Sequence, residues 1–141
     1  MKPACCYNHV SVHGAPEHVS ELVSHVANPM DFEFDHFLNG EPTLGQLFSF
    51  AKIIPYNGKL SADVNRNKWS SQSDALEVRL DYYHGNYAIY QFETYWTPPF
   101  KVAYALKTQF ADLYISWFFF EPQAELSGFV KSQTKIKGVL L

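Results

Sequence analysis

The sequence predicts an α+β domain, an antiparallel sheet with two helices on one face. Three observations carry this. Ala88, Tyr90, Phe92, Thr94 and Trp96 alternate with Tyr87, Ile89, Gln91, Glu93 and Tyr95, a period of two that marks a strand with one better-buried side. Val102, Ala103, Leu106 and Phe110 then recur at helical spacing directly behind Pro98-Pro99. The same strand-then-helix pattern also stands near the start of the chain.

Taken in order, the first strand covers residues 5–13, with Val10 and Val12 on its inner side and Tyr7, His9, Ser11 and His13 on the other, and Gly14 ends it. Pro16 suits the first position of the following helix, where an amide would have no partner, and Glu17 suits its first turn. Val19, Leu22, Val23 and Val26 form its apolar stripe, and Asn28-Pro29 stops it. Residues 30–74 are the least regular and read as a long insertion after the first helix. Phe32 and Phe34 fit a short edge strand, Lys52-Ile53-Ile54-Pro55 fits a short buried strand, and Trp69 is the one large aromatic in a polar stretch.

Order returns with Leu76, Val78, Leu80 and Tyr82 alternating against Glu77, Arg79, Asp81 and Tyr83. His84-Gly85-Asn86 turns this strand into the one at 87–96. Thr97 is the expected cap and Pro98 the expected first residue of the second helix. Leu113, Ile115, Trp117 and Phe119 alternate with Tyr114, Ser116, Phe118 and Phe120 in a nearly apolar strand, and residues 126–136 fit a last strand. Strand, helix, insertion, strand, strand, helix, strand is the ferredoxin-like order, in a single domain over 1–141.

At 141 residues and 17% aromatic content the chain can bury its own core. Cys5 and Cys6 are adjacent, and a vicinal disulfide is strained, so a reduced, cytoplasmic compartment is expected. The first residues lack the apolar run of a signal peptide, and the apolar run at 113–120 is far short of a membrane span. No membrane association is therefore expected.

Charge is unevenly spread. Net charge is -3, yet between Pro3 and Ala51 there is no Lys or Arg, and Glu17, Glu21, Asp31, Glu33, Asp35 and Glu41 all lie there, with five of the six histidines. This asymmetry points to a partner with a basic surface, with those six acidic residues as its contacts. Free imidazole titrates near 6.5, so this third is expected to lose most of its negative charge below about pH 6.

No catalytic residue and no cofactor is assigned from the sequence. Cys5, His9 and His13 share a strand face, but residues four apart on a strand lie about 13 Å apart, whereas zinc draws its ligands to about 2.0–2.3 Å. Asp31-x-Glu33-x-Asp35 starts like a calcium loop but has His36 at the glycine position and Pro42 at the closing acid. No metal is expected. Aromatics on the outer sheet face offer a different chemistry. Tyr87 to Phe92 loosely follows an RNA-recognition signature, and Tyr7, Tyr87 and Phe118 are candidate stacking residues for single-stranded RNA or DNA.

Cys6-Tyr7-Asn8, Gly14-x-Pro16-Glu17, Lys52-Ile53-Ile54-Pro55, Phe92-x-Thr94-x-Trp96-Thr97-Pro98-Pro99 and Glu125-x-x-Gly128 together resemble the YubB-type ferredoxin-like proteins of bacteriophages and conjugative plasmids. The resemblance implies a ferredoxin-like fold and a mobile-element origin, and brings no catalytic residues. With the acidic third, it leads to a non-enzymatic protein that inhibits a host defence protein, of anti-CRISPR or anti-restriction type, in the bacterial cytoplasm. The alternative is a single-stranded nucleic-acid binder. Either a monomer or a homodimer through the edge at Phe118–Phe120 or the tail at Val139–Leu141 is expected.

Overall fold

A computed structural model describes residues 4–28, 46–56, 58 and 61–131, and the backbone of 135–136 and 139–140. The elements are β1 (Cys5–His13), α1 (Pro16–Val26), α2 (Phe50–Ile53), α3 (Ala62–Trp69), β2 (Leu76–His84), β3 (Tyr87–Tyr95), α4 (Phe100–Gln109), β4 (Tyr114–Glu121), a 3-10 turn (Pro122–Ala124), β5 (Leu126–Phe129), β6 (Lys135–Ile136) and β7 (Val139–Leu140). Five strands form one antiparallel sheet in the order β2-β3-β1-β4-β5, and β6 pairs with β7. This α+β architecture is compatible with the ferredoxin-like class. Phe32, Phe34 and the edge strand expected of them lie outside the described residues. Among the described residues no helix is long and apolar enough to cross a membrane.

One face of the sheet is covered. Val10 and Val12 of β1, Ala88, Tyr90 and Phe92 of β3, and Ile115 and Trp117 of β4 share a single cluster with Val19, Leu22 and Val26 of α1 and Val102, Ala103 and Leu106 of α4. The period of two along the strands and the helical stripes therefore meet at one interface, as the alternation requires. At its centre lies Phe48, with ring centroids 4.9 Å from Phe92, 5.0 Å from Tyr90 and 5.9 Å from Trp117. The chain between α1 and β2 thus supplies core, and truncating such a ring costs about 3–5 kcal/mol.

Two polar devices hold this layer. Asn8 is buried between three strands. Its Oδ1 accepts from Trp117 Nε1 at 3.0 Å, and its Nδ2 donates to Thr94 Oγ1 at 3.1 Å and to the Cys6 carbonyl at 3.3 Å. Thr94 in turn donates to the Thr97 carbonyl at 2.7 Å. Asp74 organises the other region. Its carboxylate accepts from Phe50 N and Ala75 N at 2.7 Å each, from Ser49 Oγ at 2.8 Å and from Ala51 N at 3.4 Å. It thereby tethers the start of α2 to the chain entering β2. Burial pushes this carboxyl up, and the hydrogen bonds from Phe50, Ala75, Ser49 and Ala51 pull it back down. Trp69 closes the same region, donating from Nε1 to the Ile54 carbonyl at 3.0 Å.

Several sequence expectations are corrected. Lys52–Pro55 is not a strand: Phe50–Ile53 forms a single helical turn, because Asp74 satisfies its free amides. Trp96 does not continue the buried side of β3. Its φ is 72°, it is 51% exposed, and its N–H donates to the Ala4 carbonyl at 2.7 Å. Thr97 does not cap α4: the helix starts at Phe100 instead of Pro98, which puts Pro99 at the cap position with no side-chain cap hydrogen bond.

In β2, Leu80 pairs with Tyr90 but Tyr82 pairs with Ile89, so Asp81 is an extra residue and Tyr82 moves to the uncovered face. A second irregularity falls between Leu76 and Arg79, where Glu77 has φ 51°. The β2–β3 connection is as expected, with Gly85 at φ 53° supplying the left-handed position of a two-residue turn.

Replacing Asn8 with Ala strands Trp117 Nε1 and removes the acceptor and donor that join β1, β3 and β4. We expect a loss of roughly 2–4 kcal/mol in urea unfolding. A loss below about 0.5 kcal/mol would show that the network carries no stability.

Candidate binding face

The side of the sheet away from the helices carries no described helix. The strand register arranges its side chains in rows. Glu93, Tyr7 and Phe120 make one row. Arg79, Gln91, His9, Phe118 and Phe129 make the next. Tyr82, Ile89, Ser11 and Ser116 follow, and His84, Tyr87, His13 and Tyr114 close the far end.

Large aromatics here are well exposed: Tyr114 at 73%, Phe129 at 62%, Tyr7 and Tyr82 at 47% each. Such rings gain nothing from water, so this is the surface of the described chain with most to gain by being covered. Charge is scarce by contrast. Across the five strands the one Lys or Arg is Arg79, and its Nε lies 3.2 Å from Asp81 Oδ1. Gln91 also donates to Asp81.

The three stacking candidates, Tyr7, Tyr87 and Phe118, all sit on this face, but the structure does not bring them together. Tyr7 and Tyr87 belong to opposite end rows. The six steps along β1 from Tyr7 to His13 span about 20 Å. Phe118 packs on Phe129, with centroids 5.3 Å apart. Tyr87 instead has Tyr82 and His13 beside it, each with centroids 5.9 Å away.

That end forms a depression of about 580 Å³ lined by Ser11, His13, Tyr82, Asn86, Tyr87, Tyr114 and Ser116. A second hollow, of about 390 Å³, opens at the other end, where β2 departs from regular pairing. Glu77, Arg79, Gln91 and Glu93 line it with Tyr7. Tyr82 was out of reach of sequence reasoning, because only the bulge at Asp81 turns it to this side. Tyr114 was legible, since it alternates outward from Leu113 and Ile115.

The acidic contacts are placed only in part. Glu17 and Glu21 are exposed one helical turn apart on α1, on the helix-covered side of the molecule. Asp31, Glu33, Asp35 and Glu41 lie outside the described residues. Among the described residues no group of three or more His, Cys, Asp or Glu is arranged to hold a metal. Cys5 and Cys6 are not joined in a disulfide. They point to opposite sides of β1, Cys6 being fully buried and Cys5 partly exposed.

With this geometry in hand, comparison with known proteins adds no identity. No family model matches the chain. No curated protein matches it, and no solved structure does.

Burial pushes the Cys6 thiol from 9.0 up to about 12, with the nearby Glu121 and Cys5 adding to the rise against hydrogen bonds with Thr94 and Phe120. The folded chain therefore holds a proton that the unfolded chain releases, and stability from this group falls as pH rises through 9 towards 12. At about pH 8 we expect iodoacetamide to label Cys5 well before Cys6, with Cys6 reacting at the rate of unfolding, as read by peptide mass spectrometry. Equal labelling rates in the native protein would contradict this burial.

Proposed function

We propose that this chain is a non-enzymatic binding protein that occupies a partner protein through the uncovered face of its sheet. The observation that carries the reading is that face itself. It presents Tyr7, Tyr82, Tyr114, Phe120 and Phe129 exposed, with a single Lys or Arg, already paired, across all five strands. Rich in Tyr and Phe and free of Lys, this is the composition of a protein interface core.

The strand order β2-β3-β1-β4, with α1 and α4 as the connecting helices, supports a ferredoxin-like fold extended by β5. The resemblance to YubB-type proteins extends the proposal to a partner in a bacterial host, and to an inhibitory role against a defence protein. Its most specific piece and its N-terminal piece touch in the structure, through the hydrogen bond from Asn8 to Thr94. Glu17 and Glu21 on α1 supply a secondary attraction to a basic partner, worth little individually in salt.

A second reading, single-stranded nucleic acid, is favoured by the outward placement of Tyr7, Tyr87 and Phe118. It ranks below the first because phosphate contacts supply much of such affinity, and these strands carry no free cationic row.

Capture from a bacterial lysate, with and without nuclease, separates the readings. We expect a stoichiometric protein that survives nuclease. Tyr7→Ala with Phe118→Ala should weaken its capture at least about tenfold, and Glu17→Lys with Glu21→Lys should weaken it less, in a salt-dependent way. Full capture by the sheet-face variant would remove the face from the mechanism. Retention of nuclease-sensitive material alone would favour the second reading, in which Tyr87→Ala costs about 1–3 kcal/mol of binding.

A further inference from the structure

Resting on the protein-binding reading, we propose that the depression between Tyr82, Tyr87 and Tyr114 is an anchor site for an arginine side chain of the partner. Three tyrosine rings from β2, β3 and β4 line it. Tyr82 and Tyr87 are tilted at 56° with centroids 5.9 Å apart, so they make a corner and not a closed stack. Tyr114 borders the depression from the other side of β1, and at 73% exposure its ring is free to fold over an occupant. At about 580 Å³ the depression has room for a whole arginine side chain.

The electrostatics select a cation. Aromatic faces carry negative quadrupole charge, and guanidinium stacks on them more readily than a hydrated ammonium does. Among the described residues the depression is lined by no Lys or Arg to repel a cation, and by no Asp or Glu, so the ring faces carry the attraction. Its remaining lining is hydrogen-bonding. Ser11 and Ser116 face it from β1 and β4, and Asn86 comes from the β2–β3 turn. Asn86 Nδ2 lies 3.5 Å from His13 Nε2. Asn86 thus brings a side-chain amide to the edge of the depression, while its backbone carbonyl accepts from Gly14 N at 3.1 Å. A chain of net charge -3 favours a cationic occupant. A nucleotide would find the rings but, among the described residues lining the depression, no Lys or Arg for its phosphate.

The test titrates the full chain with N-acetyl-arginine amide and follows the ring signals of Tyr82, Tyr87 and Tyr114 by NMR. N-acetyl-lysine amide and uridine monophosphate serve as comparisons. We expect saturable shifts confined to the depression, strongest for the arginine amide. Tyr114→Ala should weaken binding about tenfold while Tyr114→Phe retains it, since the ring face and not the hydroxyl carries the contact. Shifts that do not saturate, that are unmoved by Tyr114→Ala, or that favour uridine monophosphate would each overturn the proposal. Capture of the partner is scored separately. A partner captured equally by the wild type and Tyr114→Ala overturns the anchor while leaving the protein-binding reading in place. No captured protein, even with saturable arginine-amide binding, removes the protein-binding reading and with it the partner anchor.

Discussion

The side chain of Asn8 is the fixed point of this fold. An amide buried between strands is costly unless every polar atom finds a partner, and here the carbonyl and the amine both do. Its partners come from β1, β3 and β4, the three central strands, and through Thr94 the chain of bonds runs on to Thr97. Slipping any one strand by a residue would turn Asn8, Thr94 or Trp117 to the opposite face and leave the others unsatisfied. The network therefore specifies register as well as adding stability. Since register decides which aromatics face outward, the composition of the binding face depends on it too.

Much of the architecture was legible in the sequence because it rests on periodicity. The alternation in β1, β3 and β4 and the stripes Val19-Leu22-Val26 and Val102-Ala103-Leu106 are local patterns that the core then uses. What escaped depends on distant partners. Phe50–Ile53 becomes a helical turn only because Asp74 reaches it across the chain. Trp96 leaves the strand, in a conformation that a large residue rarely adopts, as its N–H turns to the carbonyl of Ala4, the residue before β1. Tyr82 changes face because of one extra residue, and nothing in the alternation around Asp81 announces it. For the candidate site, the outward placement of Tyr7, Tyr87 and Phe118 could be read from period two, but their separation could not. Distance across a sheet depends on register, and register is a property of pairs of strands.

The two sides of the molecule divide the chemistry between them. The helical side holds exposed Glu17 and Glu21 and the cations Lys52, Lys68 and Lys101. Lys101 reaches from α4 to the Asn67 carbonyl at 2.6 Å, tying α4 to α3. The sheet side holds mainly rings, imidazoles and hydroxyls, with Glu77, Arg79, Gln91 and Glu93 gathered at one end. A side paved with charge stays solvated, while a side paved with aromatic rings has its largest gain on contact.

The edges of the sheet add a constraint of their own. A regular edge strand offers its backbone to any other chain, and strand addition is then a general route to association. Here β5 spans only Leu126–Phe129, and β2 is broken by the irregularities at Glu77 and Asp81. Neither is a good template, so a partner is steered to approach face-on and to read side chains in place of main chain. Specificity held in that form is easily rewritten. Each ring on the face can be exchanged without disturbing a single rung of the ladder, which leaves a chain of this design free to follow a partner that changes.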